Sequence, residues 1–153
     1  MLCEGRIISE ELSLEKIVNE LVKKTSSKGA GALTIFMGYV KGLVNGVKVK
    51  KLVYEAYEPY ASRKLQEIAC SIANKYSAHY VGIFHRIGSL EPGEVSVYII
   101  IATTSRHESF EAVKEAIERV KRDVPIFKLE KRENGDFWIV GNGIRIPKRE
   151  PHR

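Results

Sequence analysis

A chain of 153 residues with 25 Lys and Arg against 19 Asp and Glu carries a formal net charge of +6, and its 44% apolar and 29% charged content is that of one ordinary globular domain rather than a disordered chain. Its length suffices to bury about two-thirds of the unfolded surface without disulfide or metal staples. No apolar run approaches the ~20 residues of a membrane span, and the N-terminal MLCEGRIISEELSLEK, with early acids and no apolar stretch, shows no secretory signal, so a cytoplasmic location is expected.

The hydrophobic pattern alternates between two periods. Leu14, Ile17, Val18, Leu21 and Val22 follow helical spacing, with Ser13 as N-cap, Glu15 in the first turn and Lys23 and Lys24 in the last. Gly29-Ala30-Gly31 breaks this pattern. Residues 32–41 and 47–57 read as strands joined through Asn45-Gly46, a dipeptide that favours the positive φ of a tight hairpin turn. A second helix is expected from about Pro59 to Tyr76, its apolar stripe formed by Leu65, Ile68, Ala69, Ile72 and Ala73. Strands at 79–87 and 94–103 flank Glu91-Pro92-Gly93-Glu94, which fits a turn with Pro second and Gly third. A third helix covers roughly 107–123, with Phe110, Val113, Ile117, Val120 and Val124 as its buried stripe and Pro125 as its stop. Strands near 126–132 and 136–140 flank Asn134-Gly135, and the basic tail from Asn142 to Arg153 reads as loose. With an initial strand, the order is strand, helix, hairpin, helix, hairpin, helix, hairpin. That order implies largely antiparallel pairing and an α+β fold with three main helices. One domain over 1–141 and a tail over 142–153 are expected.

The usual catalytic signatures are missing. There is no phosphate-binding GxxxxGK[ST], no GxGxxG, no HExxH and no GxSxG. His79, His85, His107 and His152 lack metal-ligand spacing, and only Asp123 and Asp136 are aspartates, so no metal site is expected. Cys3 and Cys70 form no CxxC and read as reduced thiols, Cys70 as a buried helix residue. What remains is a set of cations. From Gly29 to Lys51 there is no acid, while Lys41, Lys48, Lys50 and Lys51 are basic; the ribbon is either a solvated edge guarded by lysines or an anion site. His85-Arg86, at a strand end, either holds a phosphate or satisfies nearby carbonyls. Ser105-Arg106-His107 opens a helix, where Arg106 either clamps an anion or is solvated beside a capping Ser105. Lys121 near the end of the third helix either compensates the helix dipole or, partly buried, has a lowered pKa and serves as acid, base or nucleophile.

Several stretches together resemble a known family. GALTIFMGYVK at 31–41, LVYEAYEPYA at 52–61, HRIGSLEPGE at 85–94, ATTSRHESFEAV at 102–113 and KRDVPIFKLE at 121–130, followed by Gly135-Asp136-Phe137-Trp138, are similar to the large, catalytic subunits of molybdopterin synthase, the MoaE family. The resemblance covers roughly 29–140. It implies an α/β hammerhead fold with added antiparallel strands and a sulfurtransferase. The implied reaction passes sulfur from the thiocarboxylated C-terminus of a small ubiquitin-like subunit (MoaD-type) to cyclic pyranopterin monophosphate, giving the dithiolene of molybdopterin. It also implies a homodimer within a heterotetramer, no cofactor, and no membrane or nucleic-acid partner.

Carried over by position, Lys121 matches the family's essential lysine beside the inserted thiocarboxylate, and Lys128 the second active-site lysine. Arg106 matches the arginine of a His-Arg pair that helps bind substrate. Phe36 and Gly38 match the first strand motif, and His85 and Arg86 the HRIG motif. Two positions depart from the pattern. Ser105 stands where a histidine is common, with His107 a possible substitute, and Lys41 stands where arginine is common, keeping the charge without the bidentate fork. The expected site therefore has Lys121 as the key catalytic group, with Lys128, Arg106 and Lys41 as an anion pocket. Two alternatives remain open on these residues: a family member that only scaffolds the small subunit, supported by Ser105, and a basic nucleic-acid-binding α+β domain.

Overall fold

The computed structural model describes residues 2–140 and 143–149. The elements in order are β1 (Leu2–Ile8), α1 (Leu14–Ser26), β2 (Ala32–Tyr39), β3 (Leu43–Val44), β4 (Val47–Ala56), α2 (Tyr60–Lys75), β5 (Tyr80–Arg86), β6 (Gly88–Leu90), β7 (Val95–Thr103), α3 (Arg106–Asp123), β8 (Ile126–Arg132), β9 (Gly135–Val140) and β10 (Ile144–Pro147). The fold is α+β with three helices, and every strand pair is antiparallel except β1 with β5.

Two sheets divide the strands. The first has the order β1-β5-β7-β2, and the second β10-β9-β8-β4-β3 with β6 also on β4. In the first sheet β5 and β7 are buried at every residue, because both faces are covered. Val81, Ile83, Val97, Ile99 and Ile101 point to one face, where α2 and α3 close the core with Leu65, Ile68, Ile72, Ala112 and Ala116. Tyr80, Phe84, Tyr98 and Ile100 point to the other, where Leu14, Ile17 and Leu21 of α1 pack. Val40, Leu52, Tyr54 and Leu90 form a third, smaller cluster.

Three local expectations take a different form. Asn45 (φ 49°) and Gly46 (φ 79°) do make the tight turn, but the strand returning from it pairs with the two-residue β3, not with β2. β2 leaves the ribbon and joins the first sheet beside β7, so the chain between 39 and 43 crosses from one sheet to the other. The buried row of α3 is Ser109, Ala112, Ala116 and Val120, while Phe110 is 61% exposed and Val113 and Ile117 are only partly buried. Small residues let the helix lie close against the sheet, and periodicity of large apolar residues places the stripe one row off. The tail expected to be loose contains β10, paired to β9 along Ile144–Val140 and Ile146–Trp138. Asn142 and residues 150–153 of that tail, His152 among them, lie outside the described residues.

The cysteines are also corrected. Cys3 and Cys70 form a disulfide across 67 residues, with Cα atoms 5.0 Å apart. They meet because β1 is pressed against α2. A Cβ at Gly5 would fall 2.2 Å from the Leu65 carbonyl carbon, so only glycine permits the approach. Gln66 completes the join. Its Oε1 accepts the Gly5 N–H at 2.9 Å, and its Nε2 donates to the Cys3 carbonyl at 3.3 Å. Nothing in a 67-residue spacing announces this contact.

Candidate active site

Where the two sheets and the end of α3 converge, they enclose a cavity of about 560 Å³. Phe36, Gly38 and Lys41 reach it from β2 and the crossing that follows, and Leu52 and Tyr54 from β4. His85 enters from β5, Val120 and Lys121 from α3, Lys128 and Glu130 from β8, Ile139 from β9, and Arg145 from β10. A Cβ at Gly38 would sit 2.8 Å from Val97 Cγ1, so glycine keeps this wall thin.

The charges around the cavity are unequal. Lys41, Lys121, Lys128 and Arg145 line it, and among the described lining residues Glu130 is the single acid. Glu130 is 2% exposed and already engaged. Arg145 donates to it through Nε at 2.8 Å and through a second nitrogen at 3.2 Å. Arg132 Nε stands 3.3 Å away without hydrogen-bond alignment, its guanidinium lying over the Phe137 ring. The three lysines are therefore left without a carboxylate inside the cavity, an arrangement that attracts an anion.

Burial falls on Lys128 rather than on Lys121, which is exposed at the C-terminal turn of α3. Desolvation, with a smaller contribution from the charge of Lys121, pushes the Lys128 amine down from its usual range to about 8. Its Nζ lies 5.7 Å from the centre of the Tyr54 ring. Burial pushes the Tyr54 phenol up, with a hydrogen bond to Ser96 opposing. His85 is 5% exposed, and burial pushes its imidazole down to about 4 despite a hydrogen bond to the Arg86 carbonyl.

The two residues of the HRIG motif part company. His85 faces the cavity, whereas Arg86 points away from it and is buried as a clamp. Arg86 donates to the Val95 carbonyl at 3.2 Å and pairs with Glu11 and Glu94 at 3.6 and 3.8 Å. It ties the segment after β1 to the strand β7, which is the carbonyl-satisfying alternative for this residue.

Ser105, Arg106 and His107 are not among the residues lining the cavity. All three are exposed at the start of α3, and fifteen residues of helix, about 22 Å at 1.5 Å each, separate Arg106 from Lys121. Ser105 occupies the N-cap position without capping the backbone, since its hydroxyl donates to the Glu108 carboxylate instead. The bond holds Glu108 below the usual carboxylate range.

The family model described as MoaE protein matches residues 7–123. The chain belongs to the MoaE family. It is 42% identical over 119 residues to the molybdopterin synthase catalytic subunit of Bacillus subtilis, across 78% of this chain and 76% of that one. Its fold superposes with a TM-score of 0.75 on the crystal structure of molybdopterin synthase from Staphylococcus aureus, at 36% identity over 86% of this chain and 93% of that one. At 20% identity and a TM-score of 0.69 it shares the fold of a Helicobacter pylori chain, over 95% of this chain and 90% of that one; that chain was solved in a complex of subunits 1 and 2 of molybdopterin-converting factor.

Of the positions carried over from the MoaE pattern, Phe36, Gly38, Lys41, His85, Lys121 and Lys128 thus share one cavity. Tyr54, Glu130 and Arg145 are among its members that the sequence did not single out. Tyr54 lay inside a quoted motif and two residues from Leu52 on the same strand face, so alternation could have found it. Glu130, two residues from Lys128 inside another quoted motif, carried the same signal, whereas Arg145 carried none, because its place depends on a strand, β10, that the sequence did not announce.

Proposed function

We propose that this chain is the large subunit of a molybdopterin synthase and that its cavity is where sulfur passes from the thiocarboxylated C-terminus of a small ubiquitin-like subunit to cyclic pyranopterin monophosphate. The observation that carries this reading is the convergence of Lys41, Lys121 and Lys128 on one cavity whose single acid among the described lining residues is held by Arg145. Lys41 and Lys121 suit the substrate phosphate and the carboxylate-like tail, as cations in a partly closed site. Lys128, with its amine brought down to about 8, suits proton transfer as the thiocarboxylate sulfur bonds to the side-chain carbon while a carbon–oxygen bond there breaks, and as water then cleaves the acyl–sulfur bond to leave the small subunit's carboxylate. The names of the relatives support the reading, and the Helicobacter pylori complex supports a small-subunit partner.

The same reading takes the assembly to be a homodimer within a heterotetramer in the cytoplasm. Among the described residues no helix is long and apolar enough to cross a membrane. Arg106, with Ser105 and His107, keeps its carried-over role only through a second copy of the chain, since within one chain it stands the length of α3 from Lys121. The test is product formation from cyclic pyranopterin monophosphate by Lys121→Ala mixed with a thiocarboxylated small subunit. A loss of about 100-fold or more is expected; a rate near that of the parent would overturn the assignment.

A further inference from the structure

We propose that Tyr54 and His85 are positioning residues for Lys128, the Tyr54 ring seating the lysine amine at the cavity wall and His85 locking that ring in place. The inference uses the proposed function only to give Lys128 a reaction to serve; the seat itself belongs to the chain alone.

The sheet register builds the seat. Tyr54 of β4 and Lys128 of β8 are direct antiparallel partners, so their side chains leave the same face side by side. The Lys128 Nζ stands 5.7 Å from the ring centroid, within the range of a cation–π contact. His85 arrives from the other sheet and meets Tyr54 edge to face, with centroids 5.2 Å apart and planes at 62°. Both rings are 5% exposed, which leaves them little room to turn.

His85 is itself held. Its Nδ1 lies 2.8 Å from the Arg86 carbonyl, and a carbonyl only accepts, so Nδ1 carries the proton and the ring is a fixed tautomer. Arg86 is in turn pinned by the Val95 carbonyl and flanked by Glu11 and Glu94. The seat of Lys128 is therefore anchored in the first sheet through His85 and in the second through β4.

The groups facing Lys128 explain why a ring serves better here than an acid. Of the polar groups that share its cavity, Lys121 comes from α3, Lys41 from the crossing after β2, Arg145 from β10 and Glu130 from its own strand, with Tyr39, Tyr54, His85 and Ser96 beside them. Glu130 is committed to Arg145. A carboxylate against Lys128 would hold it permanently charged. An aromatic face fixes its position and leaves the proton removable, in accord with an amine brought down to about 8 by burial and by Lys121.

The experiment is ¹³C-methyl NMR of the full chain after reductive dimethylation of its lysines, which preserves their charge. The Lys128 resonance is identified by its loss in Lys128→Arg. In the parent it is expected upfield of the other lysines through the ring current, titrating near pH 8. Tyr54→Phe should keep it there, His85→Ala should move it part of the way back, and Tyr54→Leu should return it to the position of the other lysines. A parent Lys128 resonance among the other lysines, or a Tyr54→Phe spectrum as disturbed as that of Tyr54→Leu, would overturn the proposal. In the sulfur-transfer assay Tyr54→Phe should keep kcat within about threefold while Tyr54→Leu loses at least tenfold in kcat at little changed KM. An inactive parent would count against the proposed function, with the seat still decided by the spectra. Should Tyr54→Leu fail to fold, the parent and Tyr54→Phe spectra decide alone.

Discussion

Lys121 and Lys128 are seven residues apart in the chain, yet their surroundings differ. Lys121 ends a helix and meets water, while Lys128 is flanked on its strand by β4 and roofed by Tyr54. Burial therefore acts on the lysine that the sequence offered as the less central of the two. His85 obeys the same rule and supplies a pH test. Its imidazole falls from an ordinary 6.5 to about 4 on folding. Between those values the unfolded chain binds a proton that the folded chain refuses, so stability decreases as pH falls through this window and the decrease stops below pH 4. The full span is worth about 3 kcal/mol. Urea midpoints of parent and His85→Gln measured from pH 4 to 7 should show the variant declining less steeply. Parallel curves would contradict a buried neutral His85.

Among the elements, β10 has consequences beyond its four residues. It places Arg145 against Glu130, and Glu130 is too deeply buried for water to replace that partner. Arg145→Ala is therefore expected to destabilise the fold by about 2 kcal/mol, because it removes two charged hydrogen bonds and leaves Glu130 only the poorly aligned Arg132 at 3.3 Å. Replacing Glu130 as well, in Arg145→Met with Glu130→Leu, should recover only part of the loss, because the buried Arg132 guanidinium, 3.3 Å from Glu130, then loses its carboxylate. Unfolding free energies in urea would check both variants, and a double variant as weak as the two losses added together would show that the pair is not coupled. β4 matters in a different way. Its ten residues pair with β3, β6 and β8, so one strand carries Leu52 and Tyr54 into the cavity while the Asn45–Gly46 turn caps its start.

At the scale of the whole molecule, two sheets share one helix end, and the cavity forms where neither sheet alone would make one. The Cys3–Cys70 bond closes a loop of 67 residues that contains α1 and the strands β2 to β4. On the chain-entropy account a closure of that length stabilises by about 4 kcal/mol. Reduction, or Cys3→Ser, is expected to lower the melting temperature by roughly 10 °C. Alkylation followed by mass measurement should find two modified thiols only after reduction and unfolding. Identical melting curves with and without reductant would refute a stabilising bond.

Local chemistry made a large part of this protein legible. The two Asn-Gly turns, Pro92-Gly93, the α2 stripe and the alternating cores of β5 and β7 depend on residues close together in the chain, where φ preference and side-chain period act directly. The motifs from Phe36 to Lys128 carried the family and six cavity residues for the same reason: each is a short, contiguous pattern. Pairing between distant segments was decided only by the tertiary structure. The sequence could not say that β2 would abandon its hairpin for β7, that β10 would bring Arg145 to Glu130, or that Cys3 would meet Cys70. Each of these depends on how whole faces bury against one another, a cooperative gain to which no single residue's preference contributes a readable share.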